Sequence, residues 1–237
     1  MLRLHPHINP ARLARRFREK GRVQIHPFLE EEDAKRLFAC LSRQLEYILV
    51  YNDEDDEVHR LKAQELAAMA VEERRRFLAG IHERASRRFQ FFYGSYLLLE
   101  NYLEGRDREL LVHRYLEFIN SPPVIELLRA VTDIPELIKA DAQVTRYGPH
   151  HFLTRHDDLV AGQNRRVAMT LHMTPRWRPD WGGYLQFFDA NGDIEEAFQP
   201  RFNCLNLFRV PMSHAVQYVS PFAGAHRYAI TGWCRDG

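Results

Sequence analysis

Residues 203–219 read NCLNLFRVPMSHAVQYV, two runs rich in β-branched and aromatic residues separated by a proline. Such residues favour strands, and proline interrupts a strand because it has no N–H to donate. Similar short runs flank this stretch, separated by turn residues such as Gly148-Pro149 and Asn191-Gly192. They are AQVTRY at 142–147, RRVAMTLHM at 165–173, GGYLQFF at 182–188 and YAITGWC at 228–234. Because no long helical pattern separates these runs, residues 141–237 are predicted to form an antiparallel barrel or double-sheet jelly roll.

The first part of the chain, residues 1–140, has a mainly helical pattern and is predicted to form a shell on that core. Apolar residues recur at three- and four-residue steps between Glu31 and Val50, as on one face of an amphipathic helix. Further helices are predicted near 61–82, 107–119 and 122–131, and the segment 89–96 is also assigned to a helix. An early strand, Arg22–Pro27, is expected to join the sheet. We therefore predict one α+β domain over residues 1–237.

Composition limits the classes of partner and compartment. The formal net charge of +1 over 237 residues argues against a nucleic-acid partner or a membrane-surface protein. No apolar run has the length of a membrane span, and the N-terminus lacks the apolar region of a secretory signal. Three widely spaced cysteines fit a reducing compartment, so a cytoplasmic protein is expected. The basic residues 1–22 are read as a solvated helix face, with contact to an acidic partner as the alternative.

The segment His156-Asp157-Asp158 contains a candidate metal-binding pair. In a strand, residues i and i+2 share a face, so His156 and Asp158 would project together while Asp157 points away. A later histidine on a neighbouring strand would complete a two-histidine, one-carboxylate triad of the kind that binds Fe(II). With 12 His and 32 acidic residues, about 1.6 such pairs are expected by chance, so the pair alone is weak evidence.

Two later runs begin with residues that strengthen the case. His214 opens HAVQYV, and Arg227 opens RYAITGW. An arginine within an otherwise apolar strand is costly unless its charge is paired. A ligand carboxylate held by both arms of the guanidinium would supply that pairing. A protein acid or exposure to solvent would also do so, and the residues alone leave these readings open.

Taken in order, the motifs resemble a known family. They are Tyr147-Gly148, His156-x-Asp158, Trp177 with Trp181-Gly182-Gly183, His214-x-Val216 and Arg227-Tyr-Ala-Ile-Thr-Gly-Trp233. Over roughly residues 122–235 this order and spacing resembles the prolyl-4-hydroxylase-like branch of the 2-oxoglutarate/Fe(II) oxygenases. RYAITGW is similar to the segment that HIF and ribosomal-protein prolyl hydroxylases carry. The resemblance implies a distorted double-stranded β-helix, with Fe(II), 2-oxoglutarate and O2 as cofactors and ascorbate as a further candidate.

The resemblance also implies roles for individual residues. His156, Asp158 and His214 resemble the iron ligands, and no catalytic residue beyond them is implied. Arg227 resembles the residue that binds the distal carboxylate of 2-oxoglutarate. Tyr147 is similar to a tyrosine whose hydroxyl bonds the cosubstrate, with a core tyrosine as the alternative.

Two further cosubstrate contacts are less specific. Trp233 resembles an aromatic residue that closes the pocket floor, although a plain core tryptophan fits its position as well. His172 stands where many relatives have a tyrosine. It could donate a hydrogen bond to the cosubstrate carboxylate, or it could be a packed strand histidine.

The implied function is a dioxygenase that hydroxylates a peptidyl residue such as proline in a protein or peptide substrate, with decarboxylation of 2-oxoglutarate to succinate. A hydroxylase of a free amino acid or other small molecule is the first alternative. The second is a non-catalytic binding module, against which the complete triad with Arg227 argues. The aromatic residues of 89–96 are assigned to core packing, with a substrate-facing wall as the alternative.

Overall fold

The computed structural model describes residues 2–237, and it combines α-helices with one large sheet. The helices are α1 (Pro10–Lys20), α2 (Glu31–Arg43), α3 (Ala63–Ala68), α4 (Val71–Ala85), α5 (Leu98–Leu103), α6 (Leu111–Ile119) and α7 (Pro122–Thr132). The strands of the first part are β1 (Arg22–Ile25), β2 (Ile48–Asn52), β3 (Val58–Lys62) and β4 (Phe91–Tyr96). Those of the second part are β5 (Lys139–Ala140), β6 (Gln143–Tyr147), β7 (Phe152–His156), β8 (Arg165–His172), β9 (Leu185–Phe188), β10 (Ile194–Phe198), β11 (Cys204–Arg209), β12 (His214–Val216) and β13 (Arg227–Arg235).

The 13 strands pair in one antiparallel sheet whose main path runs β1-β11-β8-β13-β6-β4-β7-β12-β9-β10. Residues of β8, β11 and β13 line the same cavity as residues of β9 and β12, so the sheet curls into a half-barrel. This is the α+β arrangement that the sequence predicts, a jelly-roll double-stranded β-helix with helices packed on it. The early strand is also confirmed, since β1 pairs with β11 at the end of the sheet.

The helices cover the outer face of this sheet, and local chemistry defines their ends. At the start of α1, the side chain of Asn9 accepts a hydrogen bond from the N–H of Arg12 (3.1 Å), and Pro10 occupies the first turn. Gly21 ends the helix with a left-handed φ of 66°. Phe17 of α1 is fully buried in a core that also holds Ile230 of β13. Burying each such side chain stabilises the fold by about 1.5–3 kcal/mol.

Two helical predictions are wrong. The helix predicted over 31–50 ends at Arg43, and Ile48–Asn52 instead pairs with Val58–Lys62 in a hairpin. The segment 89–96 is also extended, because β4 pairs with β2, β6 and β7. These partners are distant in sequence, so local periodicity does not reveal them. The helix predicted over 61–82 is divided in two by extended backbone at Met69 and Ala70.

Within residues 2–237, no helix has both the length and the apolar character needed to cross a membrane.

The Gly182 turn offers a test of the fold. Gly182 has a φ of +69°, and a Cβ at this position would lie 2.2 Å from the carbonyl oxygen of Tyr218. We expect Gly182→Ala to lower the free energy of unfolding by roughly 2–4 kcal/mol, because strained backbone adds to a backbone clash. Urea unfolding followed by circular dichroism measures this loss.

Gly162→Ala is the matched control. Gly162 also has a positive φ (+76°), but nothing lies within 4 Å of an added Cβ. Gly162→Ala should therefore lower the free energy of unfolding by only about 1 kcal/mol, the cost of the strained backbone alone. Equal losses in the two variants would contradict a tight contact between Gly182 and Tyr218.

Candidate active site

Three predicted metal ligands converge where β7 ends and β12 begins. His156 is the last residue of β7 and lies directly opposite His214, the first residue of β12. Asp158 lies just beyond β7 and has a left-handed φ of 65°. Its Oδ1 is 3.3 Å from Nε2 of His156, and its Oδ2 is 3.4 Å from Nε2 of His214. The side chains therefore meet through a turn after the strand, and not through the strand alternation that the sequence predicts.

Hydrogen bonds on the far side of each imidazole fix its orientation. Nδ1 of His156 donates to the carbonyl of Thr154 (2.9 Å), and Nδ1 of His214 donates to the carbonyl of Met212 (2.7 Å). Because a carbonyl only accepts, each Nδ1 carries a proton, which turns each Nε2 toward Asp158 and the cavity. This second layer of contacts is typical of metal-binding histidines.

The local electrostatics also favour a cation. Burial alone would raise the pKa of Asp158, but its contacts with His156 and His214 hold that pKa below its ordinary value. Burial lowers the pKa of His214 to about 4, so its imidazole is neutral at pH 7. The site thus holds one carboxylate and two imidazoles, whose ligand atoms all lie within 4.8 Å of one another. Two imidazoles and one carboxylate are a donor set that suits Fe(II) and leaves coordination positions open.

The triad opens into a cavity of about 360 Å³, which we call the triad cavity. Aromatic side chains from the segment that was assigned to a helix form one of its walls. Phe89, Phe91 and Tyr93 alternate along this segment and so share a face. Phe89 packs against the imidazole of His156, with ring centroids 5.6 Å apart. Phe92 points away into a separate apolar cluster, so the segment serves both as cavity wall and as core.

Arg227 lines the triad cavity and is fully buried. Its Nε and Nη1 find no hydrogen-bond partner within residues 2–237, and no ion pair to it occurs in that range. The guanidinium lies 4.8 Å from the centre of the Tyr147 ring. Burial lowers its pKa to about 10, so it is still charged at pH 7. Arg227 is therefore neither paired with a protein acid nor exposed to solvent, the two alternatives to a ligand carboxylate that the sequence leaves open.

Tyr147 and His172 flank Arg227 on the neighbouring strands. Tyr147 is opposite Arg227 in the β6–β13 register, and His172 is opposite Ala229 in the β8–β13 register. Burial raises the pKa of Tyr147 well above its ordinary value, so its phenol keeps its proton. Burial, with a smaller effect from Arg227, lowers the pKa of His172 well below its ordinary value. Both ring nitrogens of His172 lack a partner in the part of the chain that is described, and His172 lies outside the cavity lining.

Trp233 and Arg165 form a further pair in the triad cavity. Trp233 shares the cavity face of β13 with Arg227, and the guanidinium of Arg165 lies 3.5 Å from the centre of its indole ring. Nη1 of Arg165 also donates to the carbonyl of Asp158 (3.2 Å). Arg165 is not among the site residues that the sequence predicts, although a charged residue that opens the apolar run RRVAMTLHM is a usable signal.

Comparison with protein families supports the site. Residues 142–235 match the model of the 2OG-Fe(II) oxygenase superfamily. A curated relative, prolyl 3-hydroxylase OGFOD1 of Xenopus laevis, is 31% identical over 133 residues, which cover 53% of this chain. The chain spans about a quarter of that relative's length, since the match covers 24% of it.

Comparison with solved structures shows the fold. A prolyl hydroxylase of Trichoplax adhaerens, in complex with a peptide fragment of the hypoxia inducible factor oxygen degradation domain, has a TM-score of 0.61 and 19% identity. That match covers 94% of this chain and 87% of the other. A prolyl-4-hydroxylase of Pseudomonas putida has a TM-score of 0.56 and 18% identity, with 96% and 98% coverage.

The family match over 142–235 and the triad geometry agree. The three candidate ligands all lie within the segment that matches the 2OG-Fe(II) oxygenase model. His156, Asp158 and His214 could bind the iron.

The triad makes a direct prediction for metal binding. Asp158→Ala and His214→Ala should each weaken Mn(II) and anaerobic Fe(II) binding by more than about 100-fold, because each removes a ligand. Isothermal titration calorimetry measures the affinity, and circular dichroism checks that each variant folds.

Asp157→Ala is the control for this experiment. Asp157 is exposed, and its carboxylate accepts a hydrogen bond from the N–H of Leu159 (3.0 Å). Its removal should leave metal affinity within about threefold of the wild type, within the usual scatter of a surface change. Full metal binding by Asp158→Ala would remove the triad from this role.

Proposed function

We propose that the chain is a 2-oxoglutarate- and Fe(II)-dependent hydroxylase that acts on a prolyl residue in a protein or peptide substrate. The observation that carries the cosubstrate part is the buried charge of Arg227, whose Nε and Nη1 lack partners within the described residues. A buried guanidinium of this kind needs an anion, and a carboxylate suits it because it can accept from two neighbouring N–H groups at once. The triad lines the same cavity, so one ligand could meet both the metal and Arg227.

The residues around Arg227 would hold and orient the cosubstrate. Arg227 binds the distal carboxylate of 2-oxoglutarate through paired hydrogen bonds. Tyr147 keeps its proton because burial raises its pKa, so its hydroxyl donates a second hydrogen bond to that anion. His172 is held neutral next to Arg227, and in this proposal one ring N–H supports the cosubstrate carboxylate. Trp233 closes the cavity on the β13 side and keeps its indole against Arg165.

Fe(II) with 2-oxoglutarate and O2 would supply oxidative decarboxylation to succinate and CO2, with one atom of O2 entering succinate and the other entering a substrate C–H bond as a hydroxyl group. The protein positions the reactants and excludes water. Tyr93 stacks on Tyr147 with centroids 5.0 Å apart, and Phe91 continues this wall. An apolar wall of this kind keeps bulk water away from the metal.

The peptide part of the proposal rests on the mouth of the triad cavity. Phe89, Leu159 and Val160 line it, although 40%, 64% and 41% of their respective surfaces are exposed. Exposed apolar side chains grouped at a cavity mouth are typical of a surface that a partner covers. A peptide would cover them, whereas a free amino acid would leave them in water. The named relatives, prolyl hydroxylases of which one holds a peptide, support the same substrate class.

One unpartnered group in the triad cavity is compatible with both substrate classes. Nε of Arg165 is buried in the cavity and lacks a hydrogen-bond partner among residues 2–237. The carboxylate of a free amino acid would satisfy it, but so would a peptide carbonyl. The complete triad together with the orphaned charge of Arg227 argues against a non-catalytic binding module. A cytoplasmic location belongs to the proposal as well, since Cys40, Cys204 and Cys234 are all free thiols.

Arg227→Met tests the cosubstrate site through two opposite effects. The KM for 2-oxoglutarate should rise roughly 100-fold, because a charge-assisted, two-point contact is lost. The ligand-free protein should be as stable as the wild type or more so, because an unpaired buried charge is replaced by an apolar side chain of similar length. A steady-state assay of 2-oxoglutarate turnover measures the KM, and thermal unfolding without 2-oxoglutarate measures the stability.

His172→Phe belongs in the same titration. If His172 donates to the cosubstrate, this change should raise the KM less than Arg227→Met does, since one hydrogen bond and no charge is lost. An unchanged KM in Arg227→Met would refute the assignment of the distal carboxylate. An unchanged KM in His172→Phe alone would make His172 a packed strand histidine.

The substrate class is tested in cells with and without the gene. We expect the proteins of gene-containing cells to carry a prolyl oxidation of about +16 Da that is absent from deletion cells, since hydroxylation inserts one oxygen. Quantitative mass spectrometry of tryptic peptides reads this mark, and complementation with Asp158→Ala serves as the control. A change confined to small metabolites would favour the small-molecule alternative, and no change with an inactive purified protein would favour the binding module.

A further inference from the structure

A second cavity lies beside the triad cavity and shares two of its lining residues. It has a volume of about 500 Å³, and we call it the flanking cavity. Gln143 and Trp233 line both cavities, so the two adjoin at these side chains. The rest of the flanking cavity is formed mainly by leucines at and before α5 and by the segment that enters β6.

The flanking cavity has no free charge to offer a ligand. Its acidic residues are Glu100 and Asp141. The carboxylate of Glu100 accepts hydrogen bonds from Nη2 (3.0 Å) and Nη1 (3.3 Å) of Arg60. Asp141 accepts from Nε of Arg235 (2.8 Å) and from the N–H of Trp233 (2.9 Å). With these charges matched, the cavity is suited to an apolar group.

Leucine side chains at its edge are left exposed to water. Leu103 is 75% exposed and Leu99 is 39% exposed, although both line the cavity. The two residues are four positions apart on α5 and so lie on one face. A ligand that covers apolar side chains around a concave surface removes them from water, which favours its binding.

We propose that the flanking cavity binds an apolar side chain of the peptide substrate, a few residues away from the residue that enters the triad cavity. The inference rests on the proposed function, because it requires a peptide substrate. The triad cavity, at about 360 Å³, has room for 2-oxoglutarate and one substrate side chain, so the rest of a peptide must pass outside it. Gln143 and Trp233 form the boundary between the two cavities, and the peptide substrate would cross it.

The dimensions argue for a peptide segment and against a second copy of this chain. The cavity has the volume of a pocket for one small ligand, about 500 Å³. A stable subunit interface buries about 1,200–2,000 Å² in total, far more than the exposed face of a six-residue helix provides.

A peptide library tests the proposal. The probe is a synthetic library with one central proline and randomised residues on both sides, incubated with Fe(II)-loaded enzyme, 2-oxoglutarate and O2. We expect hydroxylated peptides to be enriched in an apolar residue at one fixed distance from the proline. In Leu103→Glu this enrichment should disappear, and kcat/KM for the best peptide should fall about tenfold through KM, in line with loss of one buried apolar contact. Leu103→Ala should show a smaller loss.

Val71→Glu is the matched control, because Val71 is 74% exposed and lines neither cavity. It should keep the wild-type preference. Hydroxylated peptides without an apolar preference, or a preference that Leu103→Glu leaves unchanged, would overturn the inference while the proposed function stands. Consumption of 2-oxoglutarate with no hydroxylated peptide would overturn both. Light scattering that detects a dimer in the wild type and a monomer in Leu103→Glu would assign this surface to a second copy.

Discussion

The positive charge of Arg227 is the constraint on which the site depends. Its strand, β13, is hydrogen-bonded on both sides, to β6 and to β8, so the backbone cannot turn the side chain toward solvent. Taking a charge out of water costs several kcal/mol even after relaxation, and the cation–π contact with the Tyr147 ring at 4.8 Å offsets about 2 kcal/mol of that cost. An anion that entered the triad cavity would offset the remaining cost. Ligand binding and stability are therefore coupled at this residue.

The triad depends on strand register in a similar way. His156 and His214 are direct partners across β7 and β12, and a slip of one residue would send one of them to the opposite face of the sheet. Asp158 adds a local requirement, since its backbone is left-handed, which costs roughly 1 kcal/mol for a residue with a Cβ. Aspartate tolerates this conformation better than most residues. The turn brings its carboxylate between the two imidazoles and lets its carbonyl accept from Arg165.

Features that depend on neighbouring residues can be predicted from the sequence, whereas features that depend on residues remote in the chain cannot. The jelly roll could be predicted because its strands carry a strong local signal of β-branched and aromatic residues between turns. The proximity of His156 and Asp158 was predicted for the wrong reason, since strand alternation does not continue past His156. Phe91–Tyr96 was assigned to a helix because its strand character comes from pairing with β2, β6 and β7, which are remote in sequence. Arg165 was missed because only the folded chain brings it to Trp233.

β4 explains why the chemistry can be predicted more readily than the substrate. This strand belongs to the first part of the chain, yet it pairs with both β6 and β7 and joins the two halves of the curled sheet. One face contributes Phe91 and Tyr93 to the triad cavity, and the other places Phe92 in the apolar cluster beneath α4. A substitution in β4 that reshapes the cavity wall would therefore also disturb the strand pairing that joins the two halves of the sheet. The residues proposed to hold the metal and the cosubstrate come from short motifs within 147–233, whereas the surfaces proposed to meet a substrate are assembled from residues far apart in the chain.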